Sequence, residues 1–248
     1  NNSGGTHLAT SNLVSNSGVV SSDVGAVSGV TGRRHPGALP YGGDKALFAF
    51  GYNGGFLNVS NLVDADGVMS SDTTGVGTSR TLQGMGCGYG EDKGIFAFGQ
   101  AAGSTRYNMS NLVSNSGVVA SDVTGVGTAR GHTGSFTYDT DKGIAVFGDT
   151  GGATSLKNLI SNSGVVASDV TGVGTARYAL ASCGYGGDKG LCAFGYNGVV
   201  LSMSNLISNS GVVSSDVTGV GTARFYVTGC TYGSDKGIIA FGVTTNIK

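Results

Sequence analysis

One sentence of sequence, NLISNSGVVASDVTGVGTAR followed by a variable patch and YGGDKGLCAFG, fills residues 158–195 and recurs along the chain in five copies. With the Asn of the N-L-[VI] tripeptide as register mark, the copies begin at Asn12, Asn61, Asn111, Asn158 and Asn205, so the period is 47 to 50 residues. Units of this size stack on their neighbours as solenoids, propellers or arrays. The 11 residues ahead of Asn12 and the stretch from Asn205 to Lys248 together amount to about one further period. That division fits a ring in which the two ends share one unit. An open solenoid would call instead for special capping repeats.

Each unit reads as four short strands. In the fourth copy the first covers about 178–185 and turns at Gly186-Gly187-Asp188. The second is the apolar run 190–195, and the third covers about 199–207. After the turn Ser208-Asn209-Ser210-Gly211 the fourth strand begins at Val212 and fades into the Gly-rich connection 218–221. No 3.6-residue periodicity persists, so helices are not expected. The 47 Gly sit at fixed turn slots between apolar residues that also recur in fixed slots, which marks them as turn formers and not as disorder.

The expectation is a single all-β domain over residues 1–248, a five-bladed β-propeller of four-stranded blades. The blades would span about 33–79, 80–129, 130–176, 177–223, and 224–248 plus 1–32. In the last blade the inner strands would come from 224–243 and the outer ones from about 6–27, an arrangement that closes the ring. A β-solenoid is the alternative.

The order Ala-Arg, apolar strand, GxxDKGxxAFG hairpin, then a Val/Leu-rich strand resembles kelch-type repeats, which also run about 50 residues. The resemblance extends over the whole chain and implies a propeller. The kelch glycine pair is here a single Gly (Gly51, Gly99, Gly148, Gly195 and Gly242), and the kelch Trp has no counterpart. The near-identical wording of the copies is also similar to repeat proteins of aquatic phage, which implies a part in a virion or tail fibre and an extracellular or virion-associated location.

A formal net charge of −1 gives no broad field for nucleic acid or an anionic membrane, and no apolar run approaches the ~20 residues of a membrane helix. Neither nucleic acid nor membrane insertion is expected. Charged residues are only 12% of the chain, and most fill repeat slots. Asp23, Asp72, Asp122, Asp169 and Asp216 share one slot; Arg33, Arg80, Arg130, Arg177 and Arg224 share another; five Asp-Lys pairs, from Asp44-Lys45 to Asp235-Lys236, fill a third. A single active site does not need five copies, so these read as scaffold, each Asp capping a turn or pairing with a neighbouring blade's Arg. Five Arg lining an anion channel is the sharper alternative.

Cys87, Cys183, Cys192 and Cys230 occupy slots held elsewhere by Leu, Phe, Ala or Ile and read as core thiols. His35 and His132 each follow a repeat Arg by two residues, and a two-His metal site with Asp139 is the metal-binding alternative to solvent-facing side chains. Asp64-Ala65-Asp66-Gly67 resembles the start of a calcium loop but lacks the rest of its pattern and reads as a turn. Asn1-Asn2-Ser3, Asn58-Val59-Ser60 and Asn108-Met109-Ser110 fit the glycosylation triplet.

Function then falls to the patches where the copies differ. One follows each repeat Arg and holds Arg34, His35, His132, Tyr178, Phe225 and Tyr226; the other joins the second and third strands and holds Tyr52, Asn53, Arg106, Tyr196 and Asn197. Aromatic rings that stack and amides that hydrogen-bond suit glycan recognition. The expected function is a non-enzymatic interaction or structural module that contacts other protein subunits or surface glycans and needs no cofactor. A multivalent lectin is the first alternative, and an enzyme with its site on the propeller axis the second.

Overall fold

The computed structural model describes residues 7–245 apart from 16, 26 and 84, so Thr6 and the Asn1-Asn2-Ser3 triplet lie outside the described residues. Its strands form five small antiparallel sheets, with one 3-10 turn at Ala102–Ser104 and no α-helix among the described residues. The first sheet is β1 (Gly37–Tyr41), β2 (Lys45–Tyr52) and β3 (Phe56–Val63); the second is β4 (Cys87–Tyr89), β5 (Lys93–Ala97) and β6 (Ser110–Val113). The third is β7 (Gly134–Tyr138), β8 (Lys142–Asp149) and β9 (Ala153–Ile160), and the fourth is β10 (Ala181–Tyr185), β11 (Lys189–Tyr196) and β12 (Val200–Ile207). The fifth holds β13 (Thr228–Tyr232) and β14 (Lys236–Ala240) alone. Middle strands such as β8 are buried on both faces, which explains why they read as continuous apolar runs and not as alternating ones.

The first strands of all five sheets, from Leu39 of β1 to Cys230 of β13, line one central cavity of about 550 Å³. Neighbouring first strands are stitched by hydroxyls: Gly88 N–H donates to Thr137 Oγ1 at 2.9 Å, Ser135 N–H to Ser182 Oγ at 3.0 Å, and Gly184 N–H to Thr231 Oγ1 at 2.9 Å.

The fourth strand of each unit is not a continuous ladder. It touches the third only at single bridges, Val213 to Ile207 and Val217 to Ser204 in the fourth sheet. The cause is a side chain. The Asn205 amide reaches across to the Ser214 carbonyl at 2.9 Å and to Asp216 at 2.9 Å, while Leu206 N–H donates to Ser214 Oγ at 3.0 Å. Side-chain bonds take over where ladder bonds would run.

A bulge interrupts the pairing of second and third strands in the first, third and fourth sheets. The register of β11 on β12 shifts between Ala193 and Gly195, and Phe194 between them has φ of 63°. Gly195 follows at φ 114°, where a Cβ would sit 2.9 Å from the Tyr178 carbonyl oxygen. The bulge aims the Phe ring at the Arg of the next unit: Arg80 lies 4.2 Å over Phe50, Arg130 4.0 Å over Phe98, Arg177 4.1 Å over Phe147, and Arg224 3.8 Å over Phe194.

The repeat Arg and Asp pair within a unit and not with a neighbour's, as Arg33–Asp72 (3.7 Å) and Arg130–Asp169 (3.6 Å) show. Units are joined instead by the Arg–Phe stacks and by Thr: Thr128 donates from its backbone N–H and its hydroxyl to Asp169 at 2.8 and 2.6 Å. Arg80, Arg130 and Arg177 are fully buried inside the sheets and do not line the cavity. Backbone bonds add a second clasp, since Gly51, Gly99, Gly148 and Gly195 each donate to the carbonyl of the next unit's Arg. A third joins the Asp-Lys turns, as in Gly42 N–H to the Asp92 carbonyl at 2.7 Å.

These contacts occur at four interfaces. Residues 11–24 form an outer hairpin like the others, bridged at Ser11–Val24 and Val14–Val20, with Asn12 donating to Asp23 at 2.8 Å. Among the described residues this hairpin makes no ladder with β14, in contrast to the pairing expected for the shared unit. Phe241, with no following Arg stacked on it among the described residues, is 84% exposed, whereas Phe98 under Arg130 is 0%.

Candidate ligand-binding face

The two variable patches of each unit meet. Single bridges join Arg34 to Tyr52, Thr81 to Gln100, Gly131 to Asp149, Tyr178 to Tyr196 and Phe225 to Val243. Each bridge lies at the same end of its sheet, before the first strand and after the second. The bridged parts of both variable patches are thereby gathered at one end of the sheets, around the mouth of the central cavity.

At the mouth itself sit His35, Gln83, His132, Ala179 and Tyr226, with φ between 51° and 55°. These non-glycine residues in the left-handed region occupy equivalent positions in the five units and line a common hollow of about 300 Å³. Their backbones are chained: Gln83 N–H donates to the His35 carbonyl at 3.1 Å, Ala179 N–H to that of His132 at 3.1 Å, and Tyr226 N–H to that of Ala179 at 2.9 Å.

Beside it opens a cleft of about 390 Å³ whose lining includes Arg34, His35, Tyr52, His132 and Tyr226, with Phe56, Gln83 and Gln100. The Arg34 guanidinium stands 4.7 Å from the Tyr52 ring centre, and Tyr52 meets Phe56 edge-on at 5.2 Å. Next to the cleft five rings contact one another in a closed circuit. His132 meets Tyr178 at 5.7 Å, Tyr178 meets Tyr196 at 5.6 Å, and Tyr196 meets Phe225 at 5.2 Å. Phe225 meets Tyr226 at 4.8 Å, and Tyr226 returns to His132 at 5.7 Å.

Arg106 holds Asp149 at the rim with an N–H···O contact of 2.6 Å, and its Nη1 donates to the Ser104 carbonyl at 2.8 Å. Burial pushes the His132 imidazole down to about 4, despite the pull of Asp149, so the ring is neutral at pH 7. Its Nε2 lies 3.3 Å from the Gln83 amide, and its Nδ1 is buried without a partner among the described residues. Burial, and then the Arg34 charge, also lower His35. Burial raises the phenols of Tyr178 and Tyr226, with Asp149 adding to both, so they stay protonated donors.

Nine of the eleven residues that sequence variation singles out therefore cluster on this face. Asn53 and Asn197 do not line the cleft; they sit exposed at hairpin tips, where Asn53 N–H donates to the Gly55 carbonyl and Asn197 N–H to that of Val199. Phe56 is a cleft residue that the sequence reading passes over. The signal for it was there, because Ala153 and Val200 hold the same strand-opening slot in sister units.

The other candidates lie elsewhere. Asp139 is in the β7–β8 turn, bound to Lys142 at 2.6 Å, at the far end of a strand about 17 Å long from His132. That separates it from the His35–His132 pair. Asp64 Oδ1 accepts from the N–H groups of Asp66 and Val68, which makes its segment a plain side-chain-capped turn. The side chains of Asn58 and Asn108 donate to the carbonyls of Gly77 and Gly127, each at 2.7 Å, and are held in the scaffold and not offered to a glycan. Cys87, Cys183 and Cys192 are buried, and burial raises their thiols to about 12, 11 and 12; Cys230 is exposed.

Together these features define an all-β repeat protein with one variable, aromatic-rich face. No helix of the described residues is long and apolar enough to cross a membrane. No protein-family model matches the chain, and no curated protein matches it either.

Proposed function

We propose that the chain is a non-enzymatic interaction module built as a five-bladed β-propeller, with the variable face as its recognition surface. The observation that carries the functional part is the pairing of both variable patches of every unit at one end of the sheets. A rigid repeated scaffold that holds its variation at one mouth suits recognition. Among the described residues the carboxylate near the cleft is Asp149, and its ion pair with Arg106 ties it up beside the neutral His132.

The propeller reading is supported by the unpaired ends. By the register of the other interfaces, Arg224 Nη2 would donate to Asn12 Oδ1, Thr222 to Asp23, and the Arg33 guanidinium would stack on Phe241. The hairpin 11–24 would complete the fifth sheet against β14. Arg224 holds only the Thr222 carbonyl and the Phe194 ring among the described residues, so its remaining donors are available for that closure.

A second reading, glycan binding, is favoured by rings that can stack on sugars beside the amides of Gln83 and Gln100. A glycan array with wild type, Tyr52→Ala and Tyr196→Ala separates the two. Signal lost in both variants supports a lectin. A clean array, together with density for neighbouring subunits on this face in native particles, supports an assembly part such as a virion or tail-fibre component. Partner binding that survives alanine at Tyr52, Tyr178 and Tyr226 would overturn the recognition surface itself.

A further inference from the structure

We infer that the cleft is selective for a saccharide bearing a carboxylate, with Arg34 as the residue that reads the acid. The inference rests on the glycan reading above and narrows its ligand class.

Arg34 is off-pattern. Arg33 immediately before it fills the repeat slot, bonded to Asn61 and paired with Asp72, while the position of Arg34 is held in other units by Thr81, Gly131, Tyr178 and Phe225. The scaffold thus has no use for a cation here in four of its five units. Backbone bonds of 3.0 Å in both directions to Tyr52 fix the residue in place, and the guanidinium lies over the Tyr52 ring. The side chain is exposed and has no carboxylate within ion-pair distance among the described residues.

The rest of the cleft agrees with an anionic, hydroxyl-rich guest. No Asp or Glu among the described residues lines it, and with His132 kept neutral by its burial the charge of the lining is carried by Arg34. A guanidinium offers a planar fork that matches a carboxylate. Tyr52, Phe56 and Tyr226 supply flat apolar faces, and Gln83 and Gln100 supply hydrogen-bonding groups for ring hydroxyls. The volume of about 390 Å³ falls in the size range of small-ligand sites.

The test is an NMR titration of the full chain with two oligosaccharides that differ only in the terminal residue, glucuronic acid or glucose. The acid-terminated sugar should bind about tenfold tighter or more, the difference expected of a charge-assisted pair. Added salt should erode that preference in the wild type, and Arg34→Gln should abolish it without moving the melting temperature. Equal affinity for the two sugars, with binding lost in Tyr52→Ala, would overturn the inference and leave the glycan reading standing. A preference for the acid that persists in folded Arg34→Gln would also overturn it. Binding of neither sugar would overturn both.

Discussion

The Arg177 guanidinium donates to the Asn205 side-chain oxygen at 2.6 Å, and neither residue has any solvent exposure. Asn205 in turn donates to the Ser214 carbonyl and to Asp216, which also receives both donors of Thr175. One chain of bonds thus runs from the buried Arg and Asn to the exposed Asp216 and onward to Thr175 of the neighbouring unit. The same chain recurs at Arg80–Asn111 (2.7 Å). A buried guanidinium needs every one of these partners, because losing one leaves desolvated charge behind.

Asn205→Ala should therefore cost roughly 3 kcal/mol of unfolding free energy, more than a surface change of equal size, because it orphans a buried charged donor. Arg177→Met combined with Asn205→Leu should recover part of that loss. Chemical denaturation of the three variants checks it. A cost under about 1 kcal/mol for the single variant would show that the chain does not hold the outer bridge.

Acid should loosen the molecule through Asp72, Asp122, Asp169 and Asp216. Burial pushes these carboxyls up, but bonds from Thr and Asn and the nearby Arg charge outweigh it, so each ends below its ordinary 3.8. A carboxyl whose folded value is depressed adds stability above its unfolded value and loses it as pH falls through the folded one. Melting temperature should consequently fall steeply below about pH 4, and the fall should be shallower in Asp169→Asn, measured from its own lower starting point.

His132 adds a loss of the same sign at higher pH, from a different cause. Its folded value of about 4 lies below the ordinary 6.5 because burial disfavours the imidazolium. The unfolded chain binds the proton first, so stability should decline as pH drops from 6.5 towards 4. Imidazole NMR shifts should follow an apparent midpoint near 4 for His132. A midpoint near 6.5 would mean that the ring is solvated and the circuit with Tyr178 and Tyr226 is open.

Much of this was readable in the sequence because the copies act as internal controls. Slot comparison separated Arg33 from Arg34 without any structure, since only one of them recurs. What it could not supply was the partner of each slot. Asp169 bonds its own unit's Arg130 and also Thr128 at the tail of the preceding unit, and spacing alone cannot distinguish near neighbours in a repeat array. The fourth strand was overestimated for a related reason. Val212 onward has strand composition, but the Asn205 side chain takes the bonds that a ladder would use. Phe56 was missed because a strand-opening aromatic looks like core until its neighbours Tyr52 and Arg34 are placed.

Cys230 gives the most direct test of ring closure. In the described arrangement its thiol is exposed, while Cys183, one unit earlier, is covered by the following unit, with its sulfur 2.5 Å from where a Gly237 Cβ would stand. In the proposed closure Ala46 of β2, which fills the slot of Gly237, would cover Cys230 at a spacing wide enough to seat the Ala46 Cβ. Timed maleimide labelling of the native protein, read by mass spectrometry, is the measurement. The account predicts that Cys230 is protected to the same degree as Cys87, Cys183 and Cys192, and that all four label together on unfolding. Rapid labelling of Cys230 alone at the rate of a free thiol would contradict the closed propeller.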